Sequence, residues 1–80
     1  MYFVYVLQCK DGSLYTGITA DIVRRFKEHR AGVGSRYTRA RGVRKIVYSE
    51  TAATRSAALK REAQIKRWRR EKKLELINKV

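Results

Sequence analysis

The segment Tyr2–Cys9 (YFVYVLQC) is apolar or aromatic almost throughout, with β-branched residues at Val4 and Val6. This pattern is typical of a strand that is covered on both faces, because a solvent-facing side would alternate with polar residues. A chain of 80 residues has room for a single core, since it buries only about 60 to 65% of its unfolded surface. We therefore expect one domain, residues 1–80, with this strand at the centre of its sheet.

A β-hairpin is predicted next, because Asp11-Gly12 is a strong turn signal and residues 13–19 (SLYTGIT) return as a second strand. A two-residue loop would place Tyr5 and Tyr15 on opposite faces of the sheet. A three-residue loop over residues 10–12, with its glycine left-handed, instead sets Gly17 opposite Tyr5 and puts both rings on one face. We predict the three-residue loop.

The next segment, Asp21–Arg30, predicts a helix, because an acidic residue opens it and a glycine follows its end. Its core face should consist of Ile22, Val23 and Phe26. At 100° per residue, Arg25 and His29 fall on the flank of that buried stripe. The following residues 31–43 contain three Gly and three Arg with no acidic residue, so we expect a basic loop.

The rest of the chain predicts a third strand at Lys45–Glu50 and two helices. Thr54 can cap a helix that runs to about Trp68. A shorter helix from about Arg70 can bury an apolar stripe at a spacing of three, consisting of Leu74, Ile77 and Val80. The order is then β β α β α α, an α+β fold with a three-stranded antiparallel sheet flanked by helices.

Charge indicates the class of partner. Twenty Lys and Arg against seven Asp and Glu give a formal net charge of +13, and such a positive field attracts polyanions. The 44% apolar content argues against disorder. The single cysteine, Cys9, excludes an internal disulfide and favours a reducing, cytoplasmic setting. Because the longest apolar run near the amino terminus is too short for a signal sequence or a membrane span, we expect no membrane partner. We also expect a monomer.

Glu62 is the most informative single position. On a helical wheel that starts at Ala58, Glu62 falls at 40°, next to Ile65 at 340°, inside the apolar face of its own helix. A carboxylate in that environment must be paired, hydrogen-bonded or bound to a cation. Two interpretations stay open at this stage: an ion pair with Lys66, one turn on, or a functional site.

Val4-Tyr5-Val6 followed by Tyr15-Thr16-Gly17 resembles the two halves of the motif that names the GIY-YIG nuclease superfamily. Arg25 and His29 are similar to the arginine and histidine of that family's R-x-x-x-H element. Glu62 lies where the family has its single metal-binding glutamate, on the helix after the third strand. The resemblance covers nearly the whole chain and implies a small single-domain bacterial member.

The sequence also departs from the family pattern. Val4 and Val6 stand where the first half of the motif has Gly and Ile, and Thr16 stands where the second half has Ile. These changes beside the tyrosines replace apolar packing residues and leave the two tyrosines themselves unchanged. The family's late asparagine matches only Asn78, whose role stays open.

The resemblance implies an endonuclease that hydrolyses phosphodiester bonds in DNA or structured nucleic acid. It also implies dependence on Mg²⁺ or another divalent cation, and a role in DNA repair. Tyr5 is then the favoured general base, and Tyr15 positions the phosphate or the water. Arg25 supplies a fixed charge to the phosphate, and His29 is a supporting residue and the second candidate for the base. Glu62 holds the metal while water fills the other positions, as suits Mg²⁺.

The nucleic-acid-binding residues should be Arg36, Arg39 and Arg41, with help from Lys and Arg near the carboxyl terminus. No separate recognition domain exists in the sequence, so we expect preference for shape or junctions rather than base readout, and DNA versus RNA stays open. The rival hypothesis is a non-catalytic basic binding module, in which Glu62 pairs with Lys66. A third is an interaction or ribosome-associated protein, for which basicity alone suffices.

Overall fold

Strand β1 (Tyr2–Cys9) lies at the centre of a three-stranded antiparallel sheet in the computed structural model, which describes residues 1–78. The strand order is β2-β1-β3. The other elements are, in chain order, β2 (Leu14–Thr19), α1 (Ile22–Arg30), α2 (Arg36–Arg41), β3 (Val43–Ala52), α3 (Arg55–Arg67) and α4 (Arg70–Asn78). The predicted α+β class and the order β β α β α α are confirmed, with α2 as an addition.

The hairpin between β1 and β2 has the predicted three-residue loop. Gly12 adopts a left-handed φ of 86°, and the Cys9 amide donates to the carbonyl of Ser13 at 2.8 Å, which closes the loop. Tyr5 lies opposite Gly17, and Leu7 lies opposite Tyr15. Both tyrosines therefore belong to one face of the sheet, as the register requires.

The two faces of the sheet are covered by different helices. On the even-numbered face, Val4 packs against Ala58 and Ile65 of α3. The guanidinium of Arg61 also donates to the carboxylate of Glu50 at 2.9 Å and so ties α3 to β3. On the other face, Tyr5, Leu7 and Val43 form a second cluster, and its partly buried neighbours are Tyr15, Ile22, Phe26 and Ile46. The Val4 cluster under α3 and the cluster that contains the two tyrosines thus lie on opposite faces of the sheet.

Helix α1 begins at the predicted place, because the side chain of Asp21 accepts a hydrogen bond from the amide of Arg24 at 3.1 Å. Its buried face is rotated from the predicted one. Val23 is 62% exposed, whereas His29 is 1% exposed and is the buried residue of the helix. The core-facing assignment of Val23 was wrong, whereas Ile22 and Phe26 do pack on the cluster of Tyr5, Leu7 and Val43. The helix is turned so that His29, rather than Val23, lies inward.

The basic loop predicted over residues 31–43 is wrong for its second half, which forms α2. The side chain of Ser35 caps this helix by accepting a hydrogen bond from the amide of Thr38 at 3.2 Å. Gly42 ends it with a φ of 74°, a conformation that favours glycine. The glycines of this segment therefore lie outside the helix, while its three arginines lie inside it.

The carboxyl-terminal half begins as predicted, since the Thr54 side chain caps α3 by accepting from the amide of Ala57 at 3.1 Å. Helix α4 begins at Arg70 as expected, but within residues 1–78 it has no fully buried residue. Its Leu76, rather than the predicted stripe, packs on the Val4 cluster. Val80 of that predicted stripe lies outside the described residues. No helix within residues 1–78 is long and apolar enough to cross a bilayer.

Gly17→Ala tests whether the close approach of Tyr5 requires a glycine at this position. A Cβ there would lie 2.6 Å from Tyr5 Oη and 2.8 Å from Tyr5 Cζ, so the ring must move. We expect a loss of about 1 to 3 kcal/mol in the free energy of unfolding, measured by urea denaturation. In a Tyr5→Leu background the same substitution should be less damaging, and equal losses in both backgrounds would contradict this explanation.

Candidate active site

The side chain of Tyr5 crosses the space that Gly17 leaves open on the neighbouring strand. Its phenol oxygen lies 2.8 Å from Nε2 of His29, and this hydrogen bond is buried. Tyr5 is 2% exposed and His29 is 1% exposed, so each polar group relies on the other as a hydrogen-bond partner in place of bulk water. The sheet and helix α1 are joined here by a polar contact between two titratable side chains.

The second ring nitrogen of His29 is held by helix α2. Nδ1 lies 2.9 Å from the hydroxyl of Thr38, which is itself fully buried. That hydroxyl also donates to the carbonyl of Ser35 at 3.3 Å. Both ring nitrogens are therefore hydrogen-bonded, and in the tautomer that carries its proton on Nδ1, this nitrogen donates to Thr38 and Nε2 accepts from Tyr5. Gly34 packs against the imidazole so closely that the structure leaves no room for a Cβ there.

Tyr15 lies beside the same imidazole. The Tyr15 and His29 rings meet edge-on, with centroids 5.3 Å apart, and Tyr37 of α2 packs on Tyr15 at 5.7 Å. The predicted sharing of one face by the two tyrosines is confirmed by the register. His29 was expected on the flank of the buried stripe of its helix; it is instead fully buried and contacts both tyrosines.

Arg25 approaches the cluster from the preceding turn of α1. Its guanidinium donates to the carboxylate of Glu28 at 3.1 Å and to the carbonyl of Gly34 at 2.8 Å. Both contacts hold the charge beside Tyr5, where it favours the phenolate form of that side chain. The side chain is 33% exposed and can therefore be reached by a phosphate from solvent.

Burial sets the protonation of the Tyr5–His29 pair. Desolvation raises the pKa of Tyr5 to about 12, although the Arg25 guanidinium acts in the opposite direction. Desolvation also lowers the pKa of His29, and the charge of Arg25 adds to that effect. At neutral pH the phenol therefore keeps its proton and the imidazole is neutral. Neither group of the pair carries a charge before a substrate binds.

Glu62 lies on the buried side of α3, between Ala58 and Ile65, as the helical wheel predicts, with its side chain 19% exposed. Its carboxylate lies 3.3 Å from the ammonium of Lys66, so the ion-pair geometry of the rival hypothesis is present. The Glu62 charge also raises the pKa of Tyr5. Within residues 1–78, no hydrogen bond joins Glu62 to the tyrosine and histidine cluster.

The donor set at Glu62 fits a divalent cation that keeps most of its water. Among the described residues no group of three His, Cys, Asp or Glu side chains could hold a metal. A cation here would rest on the carboxylate oxygens of Glu62 and on oxygens of water and phosphate, which is the arrangement that Mg²⁺ accepts. Lys66 is 52% exposed, so its ammonium can move aside into solvent when a cation takes its place.

The three arginines predicted to bind nucleic acid all lie on α2, the helix whose Tyr37 packs on Tyr15. Arg36 and Arg39 line an open concavity of about 360 Å³ with Ser35. Arg41 instead pairs with Asp11 at 3.2 Å. Asn78, matched to the late asparagine of the motif, is exposed at the last described turn of α4.

Two side chains that complete the site, Thr38 and Tyr37, were not expected from the sequence. Both lie on α2, which was expected to be a loop. A signal was available in the spacing, because Ser35 and Thr38 stand three residues apart at the start of a glycine-free stretch, a pattern that is typical of a helix cap. Their contacts with His29 and Tyr15 depend on how α2 folds back, which spacing alone does not reveal.

The fold and the Tyr5, Tyr15 and His29 cluster define a nuclease-like catalytic domain. The family described as the GIY-YIG catalytic domain matches residues 1–75, and the chain belongs to this family. The expectation drawn from the two tyrosine motifs is therefore confirmed at the level of the family.

Within the family, the chain is similar to UPF0213 proteins of archaea and bacteria. It is 52% identical over 75 residues to a UPF0213 protein of Haloquadratum walsbyi, covering 94% of this chain and 84% of that one. It is 48% identical over 77 residues to one of Staphylococcus saprophyticus, covering 96% and 94%. The solution NMR structure of the UPF0213 protein BH0048 from Bacillus halodurans matches with a TM-score of 0.62 at 42% identity, covering 98% of this chain and 84% of that one.

The burial of His29 predicts how stability depends on pH. Its folded pKa is lower than that of an exposed histidine, about 6.5, so the unfolded chain binds the proton more readily. The free energy of unfolding should therefore be constant above this value and fall as the pH drops below it. Urea denaturation from pH 7.5 to 5 measures the slope. His29→Gln should flatten it over this range, and an unchanged slope in that variant would contradict the prediction.

Proposed function

We propose that this protein is a metal-dependent endonuclease that hydrolyses phosphodiester bonds in DNA or structured nucleic acid. The observation that carries the proposal is the buried hydrogen bond of 2.8 Å between Tyr5 and His29, with Tyr15 and Arg25 beside it. A titratable pair of this kind is more than packing requires, because apolar side chains could fill the same space at no desolvation penalty. Membership of the GIY-YIG family supports the same chemistry.

The raised pKa of Tyr5, about 12, means that no free phenolate base is present at neutral pH, so the proposed base is the hydrogen-bonded pair. In a proton relay, as the attacking water gives its proton to Tyr5 Oη, the phenol gives its own proton to Nε2 of His29, in the tautomer that carries its other proton on Nδ1. The bond from phosphorus to the leaving sugar oxygen breaks as the bond to the water oxygen forms, and the leaving oxygen takes a proton from solvent. The imidazolium that forms keeps its Nδ1 proton directed at Thr38.

Arg25 is proposed to stabilise the negative charge of the phosphate during attack. Its guanidinium is already oriented by Glu28 and Gly34, so little reorganisation is needed when the substrate binds. Tyr15 lies next to His29 and is suited to orient the phosphate or the water. Glu62 would hold Mg²⁺ or another divalent cation, which supplies charge neutralisation at the phosphate when bound.

The substrate class follows from charge rather than from base readout. A net charge of +13 on 80 residues gives affinity for phosphate backbones. We propose that the protein acts as a monomer and prefers branched or flapped structures, as a role in DNA repair would require. The proposed setting is the cytoplasm, consistent with the free, buried Cys9.

A second candidate, the non-catalytic nucleic-acid-binding module, is favoured by one specific contact, the ion pair between Glu62 and Lys66. In that case the carboxylate is a structural partner of a lysine and no bond is cut. The pair is partly exposed, so its contribution to stability should be small, about 0.3 to 0.5 kcal/mol for an i,i+4 pair on a helix. A contact this weak leaves Glu62 available for a cation.

The two candidates are separated by incubating the purified protein with flapped, branched, duplex and single-stranded DNA and RNA, with Mg²⁺ and with EDTA. If the protein is an endonuclease, at least one structured substrate should be cleaved in a metal-dependent manner. If it is a binding module, every substrate should bind and none should be cleaved under any condition. Cleavage that persists in EDTA would contradict the role of the cation.

Glu62→Gln should separate cleavage from binding. The amide is nearly isosteric but neutral, so it cannot balance the charge of a cation, while the phosphate-binding surface is unchanged. We expect cleavage to fall by orders of magnitude, metal-free affinity to stay constant, and stability to change by less than about 1 kcal/mol. Glu71→Gln, at an exposed position of α4, is the control. If Glu62→Gln is greatly destabilised and Lys66→Met restores it, the carboxylate is structural.

The relay predicts that Tyr5 and His29 act as a unit. Tyr5→Phe and His29→Gln should each lower the cleavage rate by about 10²- to 10⁴-fold, the usual range for positioned acid–base groups. The double variant should be little worse than either single variant, because one proton path is lost in all three. Single-turnover cleavage rates at saturating protein measure this. Multiplicative losses would indicate two independent roles and contradict the relay.

A further inference from the structure

Tyr37 of α2 packs on Tyr15, with ring centroids 5.7 Å apart. The guanidinium of Arg41 lies 4.1 Å from the centre of the Tyr37 ring, a close cation–π contact. Tyr15 therefore has two aromatic neighbours, His29 and Tyr37, and the second of them is itself held by a cation.

Arg41 is held in turn by the hairpin loop. Its Nε lies 3.2 Å from the carboxylate of Asp11, and the backbone amide of Lys10 donates to the carbonyl of Gly42 at 3.0 Å. Asp11 is fixed within its loop by hydrogen bonds from the amide and hydroxyl of Ser13, at 3.0 and 2.6 Å. The end of α2 and the β1–β2 loop thus form one joined unit around Tyr37.

The other two arginines of α2 have different surroundings. Within residues 1–78, neither Arg36 nor Arg39 makes an ion pair or a side-chain hydrogen bond. Both line the concavity of about 360 Å³ that Ser35 and Gly32 complete. An exposed concavity with two unneutralised guanidinium groups and a hydroxyl suits the oxygens of a backbone phosphate.

We infer that the residues of α2 have two different roles. Tyr37, which is held in place by Arg41, positions Tyr15 for the reaction. Arg36 and Arg39 bind a backbone phosphate next to the cleaved one. This inference rests on the proposed function. The sequence predicted that all three arginines bind nucleic acid. The structure instead shows Arg41 in contact with Asp11 and Tyr37, whereas Arg36 and Arg39 face the open concavity. Tyr37 is a positioning residue, because it touches Tyr15 rather than the reacting atoms.

The first test measures the position of Tyr15 directly, without catalysis. NMR of the Tyr15 ring protons reports the ring currents of Tyr37 and His29. Tyr37→Leu and Arg41→Gln should both shift these resonances, and Tyr37→Phe should keep the wild-type values because the ring and its cation–π contact remain. Unchanged Tyr15 resonances in both Tyr37→Leu and Arg41→Gln would overturn the positioning role.

The second test measures binding of labelled duplex DNA without metal, as a function of salt. Each variant removes one positive charge from the same short helix, so the three arginines are matched to one another. Arg36→Gln and Arg39→Gln should each lower the log–log salt slope by about 0.9, the loss of one phosphate contact. Arg41→Gln should leave the slope near that of the wild type. An equal reduction for Arg41→Gln would overturn the division of roles.

Kinetics adds a third test that also separates failure of this inference from failure of the nuclease proposal. Tyr37→Leu should lower kcat about 10- to 100-fold with little change in KM, as expected for a misplaced catalytic group. Arg36→Gln and Arg39→Gln should act chiefly by raising KM. A reversed pattern would contradict the assignment. If the wild type cleaves nothing, the nuclease proposal fails, and the NMR shifts and salt slopes still decide the structural inference.

Discussion

The hydrogen bond between Tyr5 and His29 is the interaction on which the rest of the site depends. Two polar groups that are almost fully buried must satisfy one another, because an unpaired one would carry a desolvation penalty of about 1 to 3 kcal/mol. The contact requires space on both sides, which Gly17 provides for the phenol and Gly34 for the imidazole. It also requires a partner for the second ring nitrogen, and Thr38 supplies it only because α2 folds back over α1.

The burial that holds this pair together also decides what chemistry it can do. Desolvation moves the pKa of Tyr5 up and that of His29 down, so both groups are neutral in the same pH range. The pair therefore stores no charge before a reaction. Arg25 is the exception, since it remains charged and is oriented by Glu28 and Gly34. The site thus combines a neutral hydrogen-bonded pair with one fixed cation.

Glu62 is the residue for which the two candidate functions assign different partners, Lys66 or a divalent cation. On the buried side of α3 it stands between residues that pack on Val4, and its partner Lys66 lies toward solvent. An ion pair with one partner half exposed contributes little to stability, so replacing the lysine by the proposed divalent cation would cost the fold little.

The sequence by itself determined the elements whose reasons are local. Neighbouring residues alone specify three of these elements: the apolar strand Tyr2–Cys9, the Asp11-Gly12 turn and the Thr54 cap. The three-residue loop then required Tyr5 and Tyr15 to share a face, because side chains alternate along a strand. The family resemblance followed from the same residues. Only the tertiary structure decided the burial of His29, the exposure of Val23 and the different surroundings of the three α2 arginines. Each of these depends on which element packs against α1 and the hairpin, and the decisive element, α2, is too short to be recognised from periodicity and is stabilised by contacts distant in the chain.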